Sequence, residues 1–286
     1  DVDAGLATSC DGVPTGRPSW LLAYQQEVIE KLTGAREIAP GVTITNRGRT
    51  ATRDIARDYL LAELDGLGLS GAQIHDYGGG GNPYAVVPAH GEPVGTVLVG
   101  AHFDSVPNSP GANDNATGTA MVLAVARFLA ELDCRDHDAI IVLFDEEEVG
   151  LIGSFNFAQM LDDSSINLVA AHTIDQVGWD DNGDRLIEIE RPDAGLLSFY
   201  QTAATDAGLA IPMIQTTTSA TDHSSFRQFG YPAVGITEAF TMGDTSPHYH
   251  SPTDTAATVN TEYLALTTEL VSFAIGRLVY DPDRFE

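Results

Sequence analysis

The residues of this chain best suited to chemistry are a set of histidines and acids. His102 and Asp104 stand two apart in AHFDS, Asp114 sits in GANDNATG, and Glu146, Glu147 and Glu148 run together in DEEEVG. Asp175 lies in TIDQVG, and His248 and His250 flank Tyr249 in PHYHSP. Singly, each has an ordinary reading. A strand-end histidine is commonly a solvated polar group, an acid run is commonly a turn, and Asp114 suits a turn. Jointly they do not, because most of the segments that read as buried strands, or the loops after them, deliver a His or a carboxylate to the same edge. Imidazole nitrogen and carboxylate oxygen bind zinc well, and a catalytic zinc keeps one position open for water. The set exceeds what one zinc takes, whereas two metals sharing one carboxylate would use all of it. Clustered carboxylates also repel one another unless cations sit between them.

The elements that must position these groups are legible in the hydrophobic pattern. Residues 1–18, rich in Gly, Pro, Ser and Asp, read as an irregular N-terminal arm, and 19–286 as a single globular domain. Trp20–Leu32 has the apolar spacing of a helix, with Ser19 as N-cap. A second helix is predicted over Thr50–Leu67, with Thr50 or Thr52 near its N-cap. Tyr77–Asn82 is a glycine loop, and Asn82–Pro88 and Thr96–Gly100 read as strands. Then helices and buried strands alternate. VLVGAHFDS, AIIVLFDEEE, LVAAHTIDQVG and PAVGIT are strands; Ala116–Leu132, Leu151–Leu161, Gly195–Ala207, Ser224–Phe229 and Thr261–Leu278 are helices. This predicts an α/β fold, a mixed, mostly parallel central sheet with helices on both faces. Ligands of such sheets bind beyond the carboxyl ends of the strands, which is where the histidines and acids fall.

Composition narrows the partners. The 286 residues carry a formal net charge of −27, and Lys31 is the only lysine. Nucleic acid and anionic membranes are excluded, because both need a basic face. No apolar run reaches the ~18 residues that a membrane span needs. Calcium or high salt would stabilise so acidic a protein, but no residue singles out a calcium site. Cys10 and Cys134 are too far apart for a C-x-x-C pair or a cysteine zinc site. They pair in an oxidising compartment or remain two thiols. No basic-then-apolar leader is visible at Asp1, so one was removed or the sequence begins downstream of it.

The strings AHFDS, GANDNATG, EEVGLIGS, TIDQVG and HSPTDT, in that order and spacing, resemble those of the co-catalytic zinc aminopeptidase family. That family includes secreted bacterial aminopeptidases of the Streptomyces and Vibrio/Aeromonas type. The resemblance implies a zinc-exopeptidase, phosphorylase/hydrolase-like fold and two Zn2+ per chain. It also implies a secreted or periplasmic monomer that removes the N-terminal residue of peptides with a free N-terminus. Carried over motif by motif, it implies that His102 binds one metal while Asp104 orients its imidazole. Asp114 bridges both metals, Asp175 completes the His102 side, and Glu148 and His250 hold the second metal. Glu147 is implied as general base and Tyr249 as a donor to the oxyanion. A cis peptide often accompanies the bridging aspartate in this family.

Glu146 rivals Glu148 as a ligand, since alternation along a continued strand would put both on one side; the V-G-L after Glu148 selects Glu147 and Glu148. His248 rivals His250, which has the family's spacing of four residues before Asp254-Thr255. Asp222-His223 resembles a Ser-Asp-His segment, with Thr221 in place of serine, and is read as support for the pocket. Thr216–Met242 is expected to line that pocket. His75, His90, His137 and His172 match no motif. Asn115-Ala-Thr117 is formally a glycosylation sequon, but a glycan there would block the metal loop. The rival activities are a one-zinc glutaminyl cyclase and the carboxypeptidases or dipeptidases of related clans. A ligand-deficient binding relative is disfavoured because no ligand and no base is missing. Tyr84–His102 is also too short for the protease-associated insert of larger relatives.

Overall fold

Strands with apolar residues on both sides must be covered on both faces, and the centre of this sheet is built from them. The computed structural model describes residues 12–281. Its strands are β1 (Ser70–Asp76), β2 (Gly81–Val87), β3 (Thr96–His102), β4 (Asp138–Phe144), β5 (Leu168–Ile174), β6 (Ile187–Glu190), β7 (Met213–Thr216) and β8 (Ala233–Glu238). They form one sheet in the order β1-β2-β4-β3-β5-β8-β6-β7. The central strands β4, β3, β5 and β8 run parallel, while β1, β2 and β6 pair antiparallel with their inner neighbours.

The helices are α1 (Leu21–Thr33), α2 (Thr50–Gly66), α3 (Gly118–Ala130), α4 (Ile152–Asp163), α5 (Leu196–Asp206), α6 (His223–Gln228) and α7 (Thr261–Val279). Side-chain alternation divides them between the two faces. Val97, Val99, Ala101, Ile141 and Leu143 join a core that includes Leu60, Leu123 and Leu270 of α2, α3 and α7. Leu98, Ile140, Val142 and Phe144 point the other way, onto Phe157 of α4 and Phe226 of α6. Gly100 makes room on that second face, since a Cβ there would come within 2.6 Å of the Phe144 ring.

Several expectations are corrected. Neither first helix has the predicted side-chain cap: α1 follows Trp20 rather than Ser19, and α2 follows Arg49 rather than Thr50 or Thr52. Strands β1, β6 and β7 were not expected. β1 and β7 lie at the two ends of the sheet and are not continuously apolar, whereas β6 reads IEIE yet buries both glutamates. Residues 12–18 of the expected arm contain no helix or strand, and 1–11 lie outside the described residues. Cys134 is disulfide-bonded, whereas Cys10 lies outside the described residues.

The link from α1 to α2 supplies Arg47, which is wholly buried beneath the loops that follow β3. Its Nε donates to the Phe103 carbonyl, and its Nη groups to those of Leu32 (2.8 Å), Pro110 (2.7 Å) and Gly111 (2.7 Å). Burial pulls its pKa down to about 10, against the opposing pull of Asp254, Asp104, Asp114 and Glu148, so the guanidinium stays charged at neutral pH. Arg47→Met would strand those carbonyls without donors. The expected loss is about 3 kcal/mol or more of unfolding free energy, read as a lower urea midpoint.

Candidate metal centre

Each parallel strand delivers a polar group at its carboxyl end. His102 is the last residue of β3, Glu147 and Glu148 follow β4, Asp175 follows β5, and Glu238 ends β8. Asp114 sits in a π-type turn, Ala112–Thr117, leading into α3, and the Asp114–Asn115 peptide is cis. His250 comes from the loop before α7.

These groups converge as two trios that share Asp114: His102, Asp114 and Asp175, then Asp114, Glu148 and His250. Within each trio the potential ligand atoms all lie within 4.8 Å of one another. His102 Nε2 is 3.4 Å from Asp114 Oδ1 and 3.4 Å from Asp175 Oδ1. His250 Nε2 is 3.1 Å from both Asp114 Oδ2 and Glu148 Oε2. Donor atoms about 2.1 Å from a tetrahedral zinc lie roughly 3.4 Å apart, so this donor set and spacing fit zinc. Glu148 Oε1 is buried without a hydrogen-bond partner, which also fits a site built for a cation.

Other acids hold the ligand-bearing backbone. Asp104 lies 3.4 Å from His102 Nδ1, and its two oxygens accept the Glu147 and Glu148 amides at 3.0 and 3.2 Å. One carboxylate thus supports a ligand of each trio. Asp254 accepts the amides of Asn113 and Asp114 at 2.8 and 3.1 Å. Glu238 accepts from the Asn113 side chain and from the amides of Gly178 and Trp179. The roles of Asp254 and Glu238 had no local signal in sequence. Asp254 served there only as a spacing landmark for His250.

The rivals are placed elsewhere. Glu146 has φ of +60°, so the strand alternation argued for it does not continue. Its carboxylate pairs with Arg53 at 2.8 Å and accepts from Tyr77. His248 bonds Thr253 Oγ1 at 2.8 Å and packs on Trp179. His172 is buried against the Tyr200 hydroxyl, His75 meets Asn82, His90 meets Arg135, and His137 meets Asp136. Asn115 is fully buried, donating to the Ile174 carbonyl, which leaves no room for a glycan.

Beside the trios opens a cleft whose walls include Glu147, Gln176 and Glu190. Thr218, Ala220, Thr221, Thr237 and Phe240 come from the stretch expected to line a pocket. Tyr249 is 39% exposed at the rim and stacks on His250, with ring centroids 3.8 Å apart.

The amino-acid sequence from 84 to 275 matches the model of Peptidase family M28. The chain belongs to that family. It is 30% identical over 192 residues to aminopeptidase YwaD of Bacillus subtilis, covering 64% of this chain and 41% of that protein. Among solved structures it resembles BSAP, a zinc aminopeptidase from Bacillus subtilis, with a TM-score of 0.65 at 26% identity over 71% of this chain and 51% of that one. It also superposes on a Porphyromonas gingivalis glutaminyl cyclase, with a TM-score of 0.74 at 19% identity over 93% of this chain and 100% of that one. At that identity the likeness is one of fold. The chain spans about half the length of the curated relatives it matches.

Without a metal, the crowding shifts protonation. Burial, Asp222, Asp175 and Asp104 push Glu147 up to about 10 against the pull of His102. Burial and Asp114 push Glu148 up to about 8. Burial would lower His102, but Glu147, Asp104, Asp114 and Asp175 outweigh it and raise it. All three groups hold their protons more tightly folded than unfolded. Their contribution to stability is therefore complete below the unfolded carboxyl pKa and falls as pH rises through the folded values. Metal-free protein is expected to lose thermal stability as pH rises from about 4.5 to about 10, and added zinc to remove most of that slope.

Proposed function

We propose that this chain is a metal-dependent aminopeptidase that hydrolyses the N-terminal residue of peptides at a dinuclear zinc centre. The observation that carries the reading is Asp114, whose two oxygens face two separate histidine–carboxylate sets. Membership of Peptidase family M28 supports it. One zinc would be held by His102, Asp114 and Asp175, the other by Asp114, Glu148 and His250. Bound zinc supplies Lewis-acid polarisation of the scissile carbonyl and lowers the pKa of an attacking water.

The protein's own groups do the rest. Glu147 lines the cleft and belongs to neither trio. It takes the proton of the attacking water and passes it to the leaving amine. Asp104 holds Glu147 through its backbone amide, so base and ligands move together. Tyr249 donates its hydroxyl to the developing oxyanion; burial and the surrounding acids keep the phenol protonated far above neutral pH. The acidic surroundings suit the free α-ammonium of the substrate. The disulfide at Cys134 supports an oxidising, extracytoplasmic setting.

Elemental analysis is expected to give about two zincs per chain, with leucine p-nitroanilide hydrolysis lost on chelation and restored by zinc. About one zinc and no hydrolysis would overturn the reading in favour of a cyclase, tested next on an N-terminal glutaminyl peptide. Glu147→Gln is expected to keep its zinc while kcat falls about 10²–10⁴-fold. Intact turnover would remove Glu147 as the base.

A further inference from the structure

One carboxylate on the cleft wall is used by neither trio nor by the proposed base. Glu190 ends β6 and borders the cleft while only 2% exposed. Its Oε2 accepts from Thr221 Oγ1 at 2.9 Å and lies 3.7 Å from His223 Nδ1. Burial pulls His223 down to about 4, so this imidazole is neutral at neutral pH and offers no charge. Buried Asp145 and half-buried Asp193 pair with guanidinium groups, of Arg53 at 2.7 Å and Arg227 at 2.6 Å, whereas buried Asp254 and Glu238 are held by successive backbone amides. Among the described residues no lysine or arginine pairs with Glu190. Burial and Asp175 push its carboxyl up to about 8, the response of an acid lacking a counter-ion.

A second observation points the same way. Gln176 also lines the cleft, and its Oε1 is buried with no hydrogen-bond partner. A carboxylate held by Thr221 and Thr218 but paired with no cation among the described residues, and an amide oxygen with no hydrogen-bond partner, thus border one space. Phe240 and Tyr249 give the same space an apolar wall, which suits the methylene stem of a long side chain. An ammonium or guanidinium end brings several donors and the missing charge. The net charge of −27 also favours the approach of cationic peptides.

We propose that Glu190 selects peptides whose N-terminal residue has a cationic side chain, lysine or arginine, by pairing with that side chain in the cleft. The proposal rests on the aminopeptidase reading above.

The experiment compares kcat/KM of the zinc-loaded protein on lysine and norleucine p-nitroanilides, which match in length and differ in the ammonium. Lysine is expected to be favoured, and Glu190→Gln, which retains an acceptor for Thr221, to cut the lysine-to-norleucine ratio about 30-fold or more. The wild-type comparison stands even if that variant folds poorly. A wild-type preference for norleucine, or an unchanged ratio in folded Glu190→Gln, overturns the pocket proposal alone. No hydrolysis of either substrate overturns the aminopeptidase reading and this inference with it.

Discussion

Like charges cannot be gathered at one point without something between them, and the whole active edge of this molecule is arranged around that constraint. Asp114, Glu147, Glu148 and Asp175 all border one cleft, with Asp104, Asp222 and Asp254 buried close behind. Two histidines stand between the carboxylates, and Arg47 supplies a fixed charge from beneath. The histidine–carboxylate separations of 3.1–3.4 Å lie at or beyond the long end of hydrogen bonding and suit donors facing a common cation. Protons in the metal-free protein, and zinc in the proposed holoenzyme, are alternative answers to the same repulsion.

A site under such electrostatic stress needs a rigid backbone, and the fold provides it with further acids used as acceptors. Asp104 and Asp254 each take two successive amides, and Glu238 takes two amides and an asparagine side chain. Every one of these bonds joins segments far apart in sequence. The turn bearing Glu147 and Glu148 is fastened to the end of β3, and the Asp114 turn to the loop that carries His250. The donated amides offset part of the cost of burying these acids, although burial still pushes Asp254 up to about 6 and Glu238 well above the usual carboxylate range. The sheet itself sets the direction, because parallel strands all end on one edge.

The fold was legible where pattern and burial agree. β3, β4, β5 and β8 are predominantly apolar, and all four were read as strands. β6 was missed because IEIE buries Glu188 and Glu190, and a buried glutamate has no signature in a hydrophobic pattern. The V-G-L after Glu148 selected Glu147 and Glu148; the strand alternation that made Glu146 a rival does not continue, because the backbone turns at Glu146 and sends it to Arg53. The expected N-caps failed because helix starts were read from residue type alone, whereas capping depends on where the chain enters the helix.

The sequence by itself determined the α/β class, the family, and the short motifs that hold the candidate ligands. Those features depend on local spacing, on strand ends, and on residue types with few other uses together. Only the tertiary structure decided that Asp114 lies between two histidines, that Asp254 clamps a turn 141 residues away, and that Glu190 reaches the cleft without a cation. Charge pairing, shared oxygens and burial are properties of distance in space. No one-dimensional pattern records which buried acid has found a partner and which has not.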